Sequence, residues 1–257
     1  GSSGSTPLGS GGVEVRNNSL LVYRGNQGSN YNGSVVNPVT LRLLGRVNLD
    51  DNSGLYSGLG GQGRWGDTVP VTLDGGTFGL VGASNLDTYE KIGTVTLGLG
   101  NGTISVARTN SGTAVLEVND IVRGATNGTL TFASAGTGTN SAAFGFDRLR
   151  VTAPTFAANG GSTNTGSGAT AGIAPVWMVD ATNNTFLSRQ NSTLGLQPVL
   201  STATPLAGQV AFSNIITGAF TTGLNTGTST VDVTGSSTLA DNPSIYAMRI
   251  GNVALST

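Results

Sequence analysis

The chain has 257 residues, of which 10% are charged and 6% aromatic, with no His, no Cys and a net charge of −1. An average soluble domain is about 25% charged, so solubility here rests on Ser, Thr, Asn and Gly rather than on ionic repulsion. The balance excludes a basic stripe for nucleic acid or anionic lipid, disulfides, thiolate catalysis, Cys-based zinc sites, and His as general base or metal ligand.

Glycine accounts for 41 residues, and Lys91 is the single lysine among the twelve basic side chains. No apolar run approaches the roughly 18 residues needed to cross a membrane. No signal peptide is visible, and the first residue is Gly1 rather than Met.

From the start, short alternating runs dominate. Val13-Glu14-Val15, Leu20-Leu21-Val22-Tyr23, Leu41-Arg42-Leu43 and Val47-Asn48-Leu49 read as strands. Asn26 to Gly66 is polar and reads as an irregular, loop-rich part. Val71-Thr72-Leu73, then Gly75-Gly76-Thr77-Phe78, then Val95-Thr96-Leu97 and Thr103-Ile104-Ser105-Val106 repeat one grammar: apolar residues two apart, a glycine turn, and apolar residues again. Asn-Gly at 32–33, 101–102 and 127–128 supplies turns that need positive φ. Val115 to Val118, Leu130 to Phe132 and Leu149 to Val151 continue the series. Residues 155–190 read as a second loop-rich excursion that regains apolar pattern at Ile173 to Val179. Residues 205–257 read as further coils leading into a next repeat.

A sandwich or barrel would need more aromatic packing. A parallel β-helix needs many short strands, a narrow aliphatic core and Gly/Asn-rich turns. Val71 to Val95 and Val95 to Leu116 suggest coils in the low twenties of residues. At roughly 4.8 Å per coil, ten to twelve of them would make a rod of about 50 Å. The expectation is an all-β chain, a parallel β-helix (solenoid) with projecting loops, forming one unit over 1–257.

The block order Val71 to Thr77, Glu90 to Leu97, Gly128 to Phe132 and Ile173 to Val179 resembles the autotransporter-associated β-strand repeat proteins. The resemblance implies a right-handed parallel β-helix, an extracellular or bacterial cell-surface location, and a passive fibre role. It carries over no catalytic residue.

Neither end shows a polar cap, and open rungs invite another chain. The expected partner is therefore a second copy, head to tail, in a filament or tandem array. A cell-surface polysaccharide is the alternative, with no nucleic acid and no membrane span.

The chemistry-bearing candidates are few. Gly58-Leu59-Gly60-Gly61-Gln62-Gly63 matches GxGxxG, but no helix can follow it, so it reads as a turn. Asp50-Asp51 lacks the spaced ligands of a calcium loop and reads as a solvated turn. Asp87/Glu90 and Glu117/Asp120 read as surface polarity rather than a glycosidase pair. Lys91 sits in repeated scaffold and reads as part of it. Asn-x-Ser/Thr recurs from Asn17 to Asn191 and reflects composition. Trp177 lies in an apolar run and reads as packing. Trp65, with Tyr56 and Arg64 beside it in a Gly-rich loop, is the candidate contact for a ligand or partner. The expected function is a structural, non-enzymatic unit without cofactor or metal; the alternative is an adhesin using loop aromatics.

Overall fold

A computed structural model describes residues 11–24, 35–51, 64–109, 112–134, 147–153, 155, 172–182, 184–191, 195–200, 210–211, 214–216, 230–234, 237–238, 247–250 and 255–256. These residues form strands and no helix. The first are β1 (Val13–Val15), β2 (Leu20–Arg24), β3 (Val39–Arg42), β4 (Arg46–Asp50), β5 (Val71–Asp74), β6 (Thr77–Ser84), β7 (Thr88–Ile92) and β8 (Val95–Leu97). Then come β9 (Asn101–Thr109), β10 (Ala114–Val118), β11 (Ile121–Arg123), β12 (Thr129–Ser134), β13 (Asp147–Val151), β14 (Gly172–Ile173), β15 (Met178–Asp180), β16 (Thr185–Asn191) and β17 (Gly195–Leu200). The last are β18 (Val210–Ala211), β19 (Asn214–Ile216), β20 (Thr230–Val233), β21 (Ser237–Thr238), β22 (Ala247–Ile250) and β23 (Leu255–Ser256).

The Val-x-Leu grammar becomes columns. In the first sheet, ordered β1-β3-β5-β8-β11 and parallel throughout, the register stacks Val13, Val39, Val71, Val95 and Ile121 in one row. Val15, Leu41, Leu73, Leu97 and Arg123 stack in the next. Successive side chains of a strand point to opposite faces. Most of these rows are therefore buried, while Thr40, Thr72 and Thr96 take the outer face. A second ladder, β2-β4-β6-β9-β12, aligns Leu21, Val47, Phe78, Ile104 and Phe132. A third, β7-β10-β13, aligns Ile92, Val118 and Val151. The three ladders share one apolar core. Each fully buried Leu or Phe contributes about 1.5–3 kcal/mol by removal from water.

Glycine is required where the chain turns from one ladder to the next. A Cβ on Gly76 would lie 2.5 Å from the Leu41 Cβ and 2.7 Å from the Gly45 carbonyl oxygen, distances that no side-chain carbon tolerates.

The expected right-handed parallel β-helix over residues 1–257 does not hold. The strands divide among four sheets of five, thirteen, three and two strands, and the largest is mixed. After β12 pairs β15 in parallel, β15 pairs β16, β16 pairs β17, and β17 pairs β13, all antiparallel. A single solenoid would keep each successive pairing parallel.

The physical reason is local. Between β15 and β16, Asn184 takes φ +49°, and Asp180 Oδ1 accepts the Thr182 N–H at 2.8 Å. The chain from β15 to β16 therefore folds back as a hairpin instead of advancing. The spacing also needs correction. Val71 does stand beside Val95 (95 − 71 = 24), but Val95 stands beside Ile121, and Leu116 belongs to another ladder opposite Glu90. The part read as irregular, 26–66, contains β3 and β4, whereas residues 25–34 and 52–63 lie outside the described residues. The excursion read over 155–190 contains β14, β15 and most of β16.

Candidate functional site

The two predicted contact residues that the structure describes are interior. Trp65 is 0% exposed and Arg64 is buried with it; Tyr56 lies outside the described residues. The Trp65 ring meets Tyr23 and Phe78 edge-on, with centroids 5.9 and 5.2 Å away, and its indole N–H donates to the Val69 carbonyl at 3.1 Å. Its place is therefore in the core, not on a sugar ring. The sequence suggested otherwise because the surrounding glycines imply a projecting loop. Yet residues 64–65 bridge in parallel to Val35 and lie against β7.

What holds them is a buried ionic cluster. The Arg64 guanidinium pairs with Asp51, which is itself buried, and donates to the Tyr23 carbonyl and, at 3.3 Å, to the Asp50 carbonyl. Glu90, also buried, accepts the Arg64 backbone N–H on Oε2 and the Trp65 backbone N–H on Oε1, both at 3.0 Å. Burial pushes the Glu90 carboxyl up to about 7. The Trp65 and Arg64 N–H groups and the Arg64 charge oppose that rise, and Asp67 adds to it. Burial likewise lowers the Arg64 guanidinium from its ordinary value, while Glu90 and Asp50 support its charge. The cluster thus stitches residues 64–65 to β4 and β7. Asp51 is not the solvated turn its sequence suggests, and Glu90 is not surface polarity. Arg64 lies 26 residues before Glu90, and this near-repeat separation was the available signal.

Two other acids tie neighbouring segments together. Asp87 Oδ1 accepts both the N–H and the hydroxyl of Thr113 at 2.8 Å. Asp120 Oδ1 accepts the Thr155 N–H at 3.1 Å, and its Oδ2 accepts the Thr155 hydroxyl at 2.7 Å. On the outer face of the third ladder, Lys91, Glu117 and Arg150 stand in register, with Lys91 3.7 Å and Arg150 3.9 Å from Glu117. Burial and then the Glu117 charge raise the neighbouring Tyr89 hydroxyl above its ordinary value. Among the described residues no three metal-ligating side chains converge. No helix among them is long and apolar enough to cross a membrane.

A second kind of feature is the sheet edge. Among the described residues, β1 and β11 are the two outer strands of the first sheet, and β2 is an outer strand of the largest. On β2 the outward positions are Leu20 and Val22, 55% and 37% exposed. The same rows continue inward as Arg46, Thr77 and Thr103, and as Asn48, Gly79 and Ser105. Apolar residues thus occupy the outward positions on the edge strand and give way to polar or small ones further in. No protein-family model, no curated protein and no solved structure matches the chain.

Proposed function

We propose that this chain is a structural, non-enzymatic unit that associates head to tail through open strand edges, as part of an extracellular or cell-surface array. One observation carries the reading. β1 and β11 are opposite edges of one all-parallel sheet, so the β11 of one copy meets the β1 of the next in the direction the sheet already runs. Unpaired edge N–H and C=O groups are templates for such pairing. The β-branched row that runs from Val13 to Ile121 would continue across the junction, and Leu20 and Val22 supply apolar surface on β2 beside it. The composition supports a passive role, as does an ionic cluster closed to solvent. Resemblance to surface repeat proteins belongs to the same proposal. The polysaccharide reading rested on loop aromatics; Trp65 is withdrawn from it by its place in the core, and Tyr56 lies outside the described residues.

Sedimentation velocity and negative-stain electron microscopy of the full chain test this directly. The wild type should grow into filaments as concentration rises. The V13K variant, which puts a charge on β1 into the Val13–Ile121 row that the junction would continue, should not. A wild type that stays monomeric at every concentration, or that closes into a dimer and grows no further, overturns the proposal.

A further inference from the structure

The tripeptide Asn-Gly-Thr stands at 101–103 and again at 127–129, and the fold treats its two copies differently. Asparagine is thermolabile because the next backbone nitrogen can attack its side-chain amide and close a five-membered ring. A following glycine puts no side chain in the way. The rate then depends on rotation about the Asn Cα, on what holds the amide, and on how readily the next N–H gives up its proton.

At the first copy all three are unfavourable. Asn101 opens β9, and its Oδ1 accepts the hydroxyls of Thr129 and Thr131 at 3.1 and 3.0 Å. Gly102 is buried inside the strand, opposite Leu130 in the ladder.

The second copy sits in the corner between β11 and β12. Asn127 is exposed, outside any strand, at φ +59°. Among the described residues nothing bonds its side-chain amide, and nothing accepts the Gly128 N–H. The Arg123 guanidinium donates to the Asn127 carbonyl at 2.7 Å and to the Gly128 carbonyl at 2.8 Å, and lies 5.8 Å from the Trp177 ring centroid. The Asn127 carbonyl belongs to the same peptide group as the Gly128 nitrogen. When that nitrogen loses its proton, the charge is shared with this oxygen. A cation already bonded to the oxygen favours the anion and needs no rearrangement to do so.

We propose that Asn127 is a self-modifying site, where Arg123 promotes attack of the Gly128 nitrogen on the Asn127 side-chain amide, while the ladder protects Asn101. Water is the only co-reactant. Hydroxide takes the Gly128 N–H proton, the nitrogen bonds to Asn127 Cγ, and the Cγ–Nδ2 bond breaks. Ammonia leaves with a proton from water, which restores the hydroxide. Water then opens the ring at Cγ to give aspartate, or at the backbone carbonyl carbon to give isoaspartate. Either product adds a negative charge to a chain whose net charge is only −1. The proposal does not depend on assembly of the chain.

The test is peptide mapping by mass spectrometry, with isoaspartate detection, on the full chain aged at mildly alkaline pH. In urea the two identical tripeptides should convert at about the same rate. In the folded chain Asn127 should convert at least tenfold faster than Asn101. R123M should slow Asn127 about tenfold, the worth of one charge-assisted hydrogen bond. Conversion at Asn101 reports whether a variant keeps its fold, and R123Q, neutral but still a donor, replaces R123M if that protection is lost. Equal rates at the two sites in the folded chain overturn the proposal, as does an Asn127 that stays intact while the unfolded chain converts. Faster conversion at Asn127 in R123M, with Asn101 still protected, overturns it too, because the guanidinium would then restrain the corner rather than activate it.

Discussion

Replacing Glu90 by glutamine should change how stability depends on pH, not only how large it is. Glu90 is buried, and its carboxyl is raised from 4.5 to about 7. The fold therefore favours the neutral form. Below pH 4.5 the group is protonated in folded and unfolded chains alike, and its contribution is fully present. As pH rises from 4.5, the unfolded chain releases its proton first, and stability falls until the folded group ionises near 7. Above that the loss is complete and the curve is flat.

The interval of 4.5 to about 7, at about 1.4 kcal/mol for each pH unit, makes the fall about 3 kcal/mol. The amide of the E90Q variant cannot ionise. It also offers one acceptor where Glu90 receives two N–H groups, so one buried donor loses its partner at a cost of about 1–3 kcal/mol. At pH 4.5 the variant should be the less stable by that amount. By pH 8 the gap should close or reverse. Urea unfolding of both proteins at half-unit steps from pH 4.5 to 8 measures the difference, and every other titrating group, including Glu14 with its carboxyl lowered by Arg16, cancels between them. Parallel curves for wild type and E90Q would refute the argument, because they would mean that Glu90 ionises no later in the fold than in the unfolded chain.

Two further substitutions probe the same region. D51A should destabilise by about 3–5 kcal/mol in chemical denaturation, because it leaves the buried Arg64 guanidinium without its ion-pair partner; the double variant D51L/R64M should recover most of that loss. W65A should cost about 3–5 kcal/mol, read as a lower thermal midpoint, because it empties the space between Tyr23 and Phe78; an effect below about 1 kcal/mol, far under the usual cost of such a truncation, would show the ring to be peripheral.

The strand pattern was legible because it is written in period two. Val71-Thr72-Leu73 and Val95-Thr96-Leu97 declare both the strand and its neighbour, and they pair residue for residue. The reversal between β15 and β16, where Asn184 lies, was not legible as one. Asn and Gly mark many corners of this chain, and positive φ serves a change of direction within a parallel ladder at Gly75 as readily as it accompanies the antiparallel pairing near Asn184. Arg64 and Trp65 were misplaced for a related reason. Local composition says loop, but burial is decided by a carboxylate 26 residues later in sequence and by Asp51. Ion pairing across strands has no local signature. Leu43 read as a strand residue because the alternation through Leu41-Arg42-Leu43 hides the left-handed corner that begins there, at φ +49°.

The arrangement of edges limits what assembly can follow. On the far side of the second and third ladders, the antiparallel strands β16 and β17 bridge β15 to β13, so the outer edges of β12 and β13 are occupied. In the first sheet β11 ends the strand order, with no further strand paired to it among the described residues; Trp177 lies beside it, its ring 5.8 Å from the Arg123 guanidinium. Of the three ladders, only the first has an outer strand at both ends of its order among the described residues, so head-to-tail growth falls to it. A β1 edge that meets β11 of the next copy continues a parallel sheet and leaves a fresh β1 exposed, so the contact repeats without limit. A β1 edge that meets another β1 must run antiparallel and consumes both β1 edges, so that contact by itself makes only a dimer. The two outcomes differ in stoichiometry alone. A mass distribution that climbs through trimer and beyond requires the β1–β11 junction, whereas one that halts at the dimer would show that the open edge serves closure and not a fibre.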